Sequence, residues 1–135
     1  MGYRSDVLIA VAFKDKEQRD EVWAVYCMDQ RVQKHNLTAQ WKTYDEGAFP
    51  VLYYEDSGVK WYESYGDVSG IEHLIEVASN FAQERGHPYA AINYRIGEDL
   101  NDIETTDRTA DPDGALRDFL WEMCTIERRL VHNFG

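Results

Sequence analysis

The alternation of apolar and polar residues along the chain predicts a mixture of strands and helices. Val7 to Phe13 form an uninterrupted apolar run, typical of a central strand that is covered on both faces, or covered on one face with the small residues Ala10 and Ala12 on the other. Asp15 is the expected N-cap of a helix, because apolar residues then recur at helical spacing to about His35. A second apolar stripe predicts a helix from Ser69-Gly70 to about Arg85, and Gly86 suits its end.

The middle of the chain predicts a β-hairpin. A short strand is expected around Trp41, and Asp56-Ser57-Gly58 then has turn chemistry, with Gly58 as a left-handed residue. A three-residue loop would place Trp61 opposite Tyr53, whereas a two- or four-residue loop would place it opposite Tyr54. The sequence leaves this register open. The two strand-like segments that flank the turn are Phe49 to Glu55 and Val59 to Ser64.

The C-terminal third predicts two more strands and a helix. Tyr89 to Ile96 alternates as a strand does, a short strand follows near Ile103 to Thr106, and Asp113 is expected to cap a last helix from Ala115 to about His132. The order predicts an α+β fold in a single domain, residues 1–135. We expect a ferredoxin-like β-α-β-β-α-β antiparallel sheet with two helices on one face, plus the short strand and the C-terminal helix.

The C-terminal helix has an apolar stripe that needs cover. Leaving it in water would cost about 1.5–3 kcal/mol per large side chain. It should therefore lie on the other sheet face or beside the first two helices.

Charge narrows the classes of partner. The formal net charge is -11 over 135 residues, and more than half of the excess lies between Glu98 and Asp113, where seven acidic residues accompany one basic residue, Arg108. This stretch is called the acidic window below. Such a balance argues against binding a nucleic-acid backbone or an anionic membrane, both of which need clustered Lys and Arg. A basic protein partner, or simple solvation of a charged loop, fits it better.

The predicted location is the cytoplasm. No apolar signal segment is visible near the N-terminus, and the run from Val7 to Phe13 is too short for a bilayer span. Cys27 and Cys124 are isolated on predicted helices, which is typical of reduced core thiols.

Catalytic, metal and cofactor motifs are weak or missing. No nucleophile elbow or phosphate-binding glycine loop is found in the sequence. The loop Thr109 to Gly114 resembles the front of a calcium loop, but Leu120 stands where a bidentate Glu is required. His73 shares a helix face with Glu76 and lacks a second His. We therefore expect no cofactor, no metal and, on balance, no enzyme.

Aromatic residues are dense between Trp41 and Tyr65. Cross-strand packing is their ordinary role, and a protein interface is the alternative, since Tyr and Trp are common anchors. Tyr53-Tyr54 and Trp61-Tyr62 are consecutive pairs, so one residue of each pair should face away from the two-helix layer. Together with the acidic window they provide the candidate binding residues: Glu98, Asp99, Asp102, Glu104, Asp107, Tyr53, Trp61 and Tyr62.

Two short stretches resemble small uncharacterised proteins of phages and prophages. They are Gly2-Tyr3-Arg4-Ser5-Asp6-Val7, and Tyr94-Arg95-Ile96-Gly97-Glu98-Asp99 with Asp102-Ile103-Glu104. The resemblance implies a cytoplasmic accessory protein in a bacterial host cell, and it implies no particular activity. It also suggests that the acidic window begins as an extension of the strand near Tyr94.

These observations favour a non-enzymatic accessory protein that contacts a host or phage protein through an acidic and aromatic surface. A small-ligand or hydrolytic site in a pocket under the C-terminal helix, using His73, His87 and the carboxylates of the acidic window, is one alternative. An acidic DNA mimic is another, and a homodimer through exposed sheet faces stays open. The sequence does not identify the partner.

Overall fold

A computed structural model describes residues 4–59, 61, 66–98, 102–126, 130–132 and 134. Among these, five strands form one antiparallel sheet in the order β2-β3-β1-β4-β5, so the fold is α+β. The strands of the sheet are β1 Ser5–Phe13, β2 Lys42–Tyr44, β3 Val51–Val59, β4 Tyr89–Gly97 and β5 Ile103–Ala110. The helices are α1 Lys16–Tyr26, α2 Gln30–Lys34, α3 Gly66–Arg85 and α4 Ala115–Met123, with a 3₁₀ turn at Leu37–Gln40. A separate small hairpin joins β6 Cys124–Ile126 to β7 Leu130–His132.

The central strand β1 lies between β3 and β4, as its uniform apolar character predicts. Its side chains alternate between two cores. Val7, Ile9 and Val11 pack on the side of α1 and α3, whereas Leu8 and Ala10 pack on the side of α4. In the described part of the chain, none of the helices is both long and apolar enough to cross a membrane.

The long first helix is instead two helices. Asp15 caps α1 as predicted, accepting a hydrogen bond from the Gln18 N–H at 2.9 Å. The helix ends at Tyr26, because Asp29 starts a new one by accepting from the backbone N–H groups of Arg31 and Val32. A short polar side chain that bonds the backbone in this way competes with continuation of the preceding helix.

The predicted hairpin around Asp56-Ser57-Gly58 is wrong. These residues lie inside β3, which pairs along its length with β1. Ser5 pairs with Val59 and Val7 with Asp56, so β3 carries one extra residue, a β-bulge. Gly58 has the predicted left-handed conformation, with φ +65°, but at this bulge and not in a turn.

The actual hairpin joins β2 to β3, and it changes the pairing of the tyrosines. Tyr53 lies between Lys42 of β2 and Ala10 of β1, and Tyr54 pairs with Ile9. Neither predicted pairing with Trp61 is formed within the described residues. Most of the predicted strand from Val59 to Ser64 lies outside them.

The second half matches the sequence more closely until the last helix. Helix α3 begins at Gly66 and ends at Arg85, and Gly86 follows in the left-handed conformation. Strand β4 lies as predicted, and β5 extends to Ala110, beyond the predicted end at Thr106.

The predicted C-terminal helix is too long. Helix α4 ends at Met123, and Cys124 begins β6. Asp113 is not its cap, because Gly114 occupies that position and Asp111 accepts from the Leu116 N–H at 2.7 Å. The helix does cover the second sheet face, as its stripe requires: Leu116 and Leu120 are buried against Leu8 and Ile92.

Candidate functional site

Strand β5 forms one edge of the sheet and contains part of the acidic window. It pairs with β4 in an uninterrupted register from Tyr89–Ala110 to Ile96–Ile103. All residues of β5 are exposed. Among the described residues, no strand pairs with its outer side. Glu104 and Asp107, two of the candidate binding residues, therefore lie on an open sheet edge.

The backbone groups that face the open edge can be assigned from one hydrogen bond. The Gly97 N–H donates to the Asp102 C=O at 2.7 Å, which marks this opposed pair as hydrogen-bonded. Hydrogen-bonded and non-hydrogen-bonded pairs alternate in an antiparallel ladder. Glu104, Thr106 and Arg108 therefore bond to β4. The N–H and C=O groups of the residues between them point outward: Ile103, Thr105, Asp107 and Thr109.

The two faces of β5 carry different side chains. Arg108 lies on the side of α3, where its Nη2 donates to the Ser79 Oγ at 3.3 Å. Asp107 and Thr109 face α4, where they border a recess with Trp121. Ile103 lies on the same face of β5 as Asp107 and Thr109, because side chains alternate along a strand. Ile103 is 45% exposed, and Trp121 is 47% exposed. The α4 side of the edge therefore combines an acidic group with exposed apolar groups, and the Arg117 guanidinium lies 4.9 Å from the centre of the Trp121 ring.

The acidic window is partly neutralised from within the sheet. The Arg95 Nη2 lies 2.8 Å from the Asp102 Oδ1 and 2.7 Å from the Glu104 Oε1. These hydrogen bonds, that of Glu104 first, raise the pKa of Arg95. Glu98 accepts from the Arg4 N–H at 2.8 Å. Asp99 lies outside the described residues.

The aromatic candidates do not join this surface. Tyr53 is only 6% exposed and packs on Phe134 with ring centroids 4.8 Å apart. Trp61 is half-buried on the opposite sheet face, stacked on Tyr54 at 5.8 Å. Tyr53 belongs to β3, and Trp61 packs beside that strand. In the sheet, β1 and β4 lie between β3 and β5. Tyr62 lies outside the described residues.

Three residues at the β5 edge were missed by the sequence analysis: Ile103, Arg108 and Trp121. Trp121 follows Leu120 directly and is outside the apolar stripe of its helix, which was the available signal for an exposed Trp. Arg108 is the lone basic residue in the window. Its side-chain direction could be assigned only once the pairing of Arg108 with Ala91 was known.

A polar cleft lies between α3 and the strands β4 and β5. Its volume is about 290 Å³. Asn93 in its wall donates to the Glu72 Oε2 at 2.9 Å. The other charged and polar residues that line it are Arg31, Ser69, Glu76, Thr106 and Arg108.

His73 lies behind this cleft, between two carboxylates. Its Nε2 is 3.3 Å from the Asp29 Oδ2 and its Nδ1 is 3.0 Å from the Glu76 Oε2. Hydrogen bonds from Arg31 hold the pKa of Asp29 below its ordinary value. The cluster links α2 to α3. Within the described ranges, no group of three His, Cys, Asp or Glu side chains is arranged to hold a metal ion.

His87, the other predicted catalytic candidate, is separate from this cluster. It pairs with Glu21 at 3.0 Å and stacks on Phe81. Among the described residues, the window carboxylates and these histidines do not form a group that could hold a metal ion.

At the place of the predicted pocket under the C-terminal helix, the structure shows a narrow recess. The recess between α4 and the sheet, lined by Ile92, Leu120 and Trp121, has no room for a water-sized molecule. Nearby, burial raises the pKa of the Cys124 thiol to about 12, so this thiol stays protonated and is a poor nucleophile. Cys27 is half-buried, and burial raises the pKa of its thiol as well.

Comparison of the chain with protein-family models, with curated proteins and with solved structures gives no match. The candidate site therefore depends on the geometry of the chain alone.

Proposed function

We propose that this chain is a non-enzymatic protein-binding protein, and that its interface is the open edge of β5. An extended segment of a partner would add to the sheet as a further strand, using the outward N–H and C=O groups between Ile103 and Thr109. The observation that carries the proposal is the long, fully exposed edge of β5. Strand addition of this kind gains affinity from main-chain hydrogen bonds and specificity from alternate side chains.

The contrast with the other sheet edge supports this choice. Proteins commonly protect edges by keeping them short or by bending them. Strand β2 at the opposite edge spans only Lys42–Tyr44. Strand β5 is longer, contains no proline, and its pairing with β4 has no bulge. An edge of this length that is left open is a natural site for another strand.

Charge defines what the partner should offer. Glu104 and Asp107 project from opposite faces of the strand, and Arg108 accompanies Glu104 on the α3 side. A partner strand with basic residues opposite the carboxylates would associate faster, while its affinity would depend mainly on the backbone bonds and apolar contacts. DNA mimicry fits less well, because Arg95 pairs with Asp102 and Glu104 and interrupts the row of carboxylates.

The short resemblance to phage and prophage proteins supports a proposal for the source and location of this protein. On that ground the protein would be a phage-encoded accessory protein in the cytoplasm of a bacterial host. For the fold, we propose a ferredoxin-like core of β1 to β4 to which β5 has been added.

The test uses an edge variant with a matched control. Thr105→Pro removes an outward N–H without touching the ladder to β4, and Thr105→Val keeps that N–H. A partner captured by the wild type would be purified and recombined with each form. We expect the wild type and Thr105→Val to bind and Thr105→Pro to lose at least about tenfold in affinity, about 1.4 kcal/mol.

Hydrogen exchange supplies the second measurement. The amides of Thr105 and Asp107 should exchange fast in the free protein and become protected in the complex. A partner that protects α3 or α4 and leaves these amides unchanged would contradict the proposal.

A small-ligand role is the second candidate, and the polar cleft is the observation that favours it. Arg31 and Arg108 in its lining suit a small carboxylate, while Glu72 and Glu76 in the same lining offset their charge. Its volume is at the lower limit of ordinary ligand pockets. Thermal-shift assays with a panel of small mono- and dicarboxylates should then stabilise the wild type and leave Arg108→Ala unshifted. An absence of any shift would remove this candidate.

A further inference from the structure

We propose that the strand added at β5 is the β5 of a second copy of this chain. The inference rests on the proposed function, because it names the occupant of the same edge. The two strands would run antiparallel around a two-fold axis that passes beside Thr106, joining the two sheets into one. Such isologous pairing is the commonest way in which soluble chains form dimers.

The alternation of inward- and outward-facing backbone groups along β5 restricts the register of the two strands. Only the outward-facing residues of each β5 can exchange hydrogen bonds across the new ladder. A two-fold axis beside Thr106 pairs Thr105 with Asp107 of the second copy and Ile103 with Thr109 of the second copy. All four of these residues have outward backbone groups. Residues 103–109 of both copies would then be paired.

Charge complementarity favours this register over its neighbours. The axis beside Thr106 places Glu104 opposite Arg108 of the second copy, and symmetry repeats the pair. Both pairs fall at non-hydrogen-bonded sites, where opposed side chains are closest. Moving the axis to Asp107 would place Asp107 opposite Asp107 of the second copy, so that two negative charges would face each other. Moving it to Thr105 would shorten the paired segment to residues 103–107.

The same register covers exposed apolar surface. Ile103 of the second copy would lie opposite Thr109, and Thr109 borders the same recess as Trp121. Ile103 and Trp121 are two of the few large apolar side chains that are substantially exposed in the described chain. Pairing through β5 would bring them together at both ends of the interface.

The second copy would also contribute to the polar cleft. Arg108 and Thr106 line that cleft beside β5, so Glu104 of the second copy would reach its mouth. The α3 helices of the two copies leave room for this pairing. Each α3 lies over β4 and β5 of its own chain, where Glu72 bonds to Asn93 and Ser79 to Arg108. With strands about 4.8 Å apart, the two α3 helices would be about 10–14 Å apart. Helices pack at about 8–10 Å, so they would not collide.

The experiment is a charge exchange across the two-fold axis. Wild type should show a concentration-dependent mass rising towards twice the 15.7 kDa chain mass in size exclusion with light scattering. Glu104→Arg and Arg108→Glu, each alone, would oppose like charges at both pairs and should weaken dimerisation at least tenfold. An equimolar mixture of the two variants restores both pairs, so we expect heterodimers by native mass spectrometry. The double variant should also dimerise as a homodimer.

Glu46→Arg is the control. It makes the same charge change in the exposed loop between β2 and β3, away from β5, and should dimerise as the wild type does. Circular dichroism of each variant checks folding, and recovery in the mixture shows that neither single variant fails merely by unfolding.

Two outcomes would overturn the inference. One is a wild type that stays monomeric up to about 1 mM. The other is a dimer that both single variants leave intact. If the wild type is monomeric but a purified heterologous partner protects the Thr105 and Asp107 amides, the inference fails and the proposed function stands. If no partner protects those amides either, both fail.

Discussion

The hydroxyl of Tyr26 is expected to stabilise the fold far more than an ordinary tyrosine hydroxyl does. Tyr26 is fully buried at the end of α1. Its hydroxyl donates to the Gly70 C=O at 2.9 Å and accepts from the Trp41 Nε1–H at 2.9 Å. One oxygen atom thus joins α1, α3 and the segment that leads into β2. The informative perturbation is Tyr26→Phe, which keeps the ring and removes these bonds.

The magnitude follows from the groups that the substitution leaves behind. The Trp41 N–H would lose its partner in a buried setting, whereas the Gly70 C=O would keep its second hydrogen bond, the one from the Leu74 N–H within α3. An unsatisfied buried group costs about 1–3 kcal/mol. We expect a total loss of about 1–3 kcal/mol, because the Trp41 N–H is the group left unsatisfied. That is a large share of the 5–15 kcal/mol that is typical of a natural domain.

Urea unfolding, followed by tryptophan fluorescence and circular dichroism, measures the loss. Tyr44→Phe is the matched control, since Tyr44 is half-buried and its hydroxyl makes no hydrogen bond to the described part of the chain. Its effect should stay within about 0.5 kcal/mol. The dependence on denaturant should be the same for all three proteins. A double-mutant cycle with Trp41→Phe should give a coupling of about 0.5–3 kcal/mol.

The pH dependence provides a second check on the same group. Burial raises the pKa of the Tyr26 hydroxyl above its ordinary value of 10.0. The folded state therefore keeps a proton that the unfolded state loses, and stability should fall as the pH rises above 10. Tyr26→Phe should lack this part of the decline. Equal losses in Tyr26→Phe and Tyr44→Phe, or zero coupling with Trp41, would refute the reasoning.

Three further predictions concern other buried contacts. Gly70→Ala should destabilise by about 0.5–2 kcal/mol, because a Cβ would lie 2.5 Å from the Cδ1 of the buried Leu37, whose displacement outweighs the better helix propensity of Ala; a higher unfolding midpoint would contradict this. Because burial raises the pKa of the Cys124 thiol above its ordinary value of 9.0, the folded state keeps a proton that the unfolded state loses above pH 9. The wild type should therefore lose about 1.4 kcal/mol of stability per pH unit above pH 9, relative to Cys124→Ala. Parallel pH profiles of the two proteins would count against this. Asp29→Ala should lower stability by about 0.5–2 kcal/mol at pH 7 by removing the α2 cap. Because the pKa of Asp29 is lowered, this difference should shrink as the pH falls below 3.8, and thermal melts at pH 7 and 3 compare the two.

Local patterns predicted the parts of the fold that local interactions control. The apolar run of β1, the Asp15 cap and the stripe of α3 depend on residues within one or two turns or on burial of a whole segment. The first helix was predicted to continue to about His35, but Asp29 caps a new helix. A capping residue within a helical pattern can be recognised only when its hydrogen bonds are known. The last helix failed at Cys124, where the chain enters a small hairpin.

The turn chemistry of Asp56-Ser57-Gly58 shows how tertiary pairing overrides a local signal. A tight turn there would satisfy few backbone groups, whereas continuing as β3 pairs those residues with β1. Gly58 keeps its left-handed conformation in the bulge, and the Asp6 carboxylate accepts from its N–H at 2.9 Å. The same residues thus fit two structures, and pairing with the distant strand decides between them.

The candidate site was predicted only in part. The sequence placed Glu104 and Asp107 after strand β4 but joined them to Tyr53, which is buried under Phe134. Periodicity and charge along the chain by themselves determined the central strand, the main helices and the segment that carries the acidic residues. Only the tertiary structure decided that β5 is an open edge, that Arg95 neutralises part of the window, and that Arg108 and Trp121 flank it. Neighbours in a sheet are chosen by the burial and backbone bonding of segments far apart in the chain, and no local pattern encodes that choice.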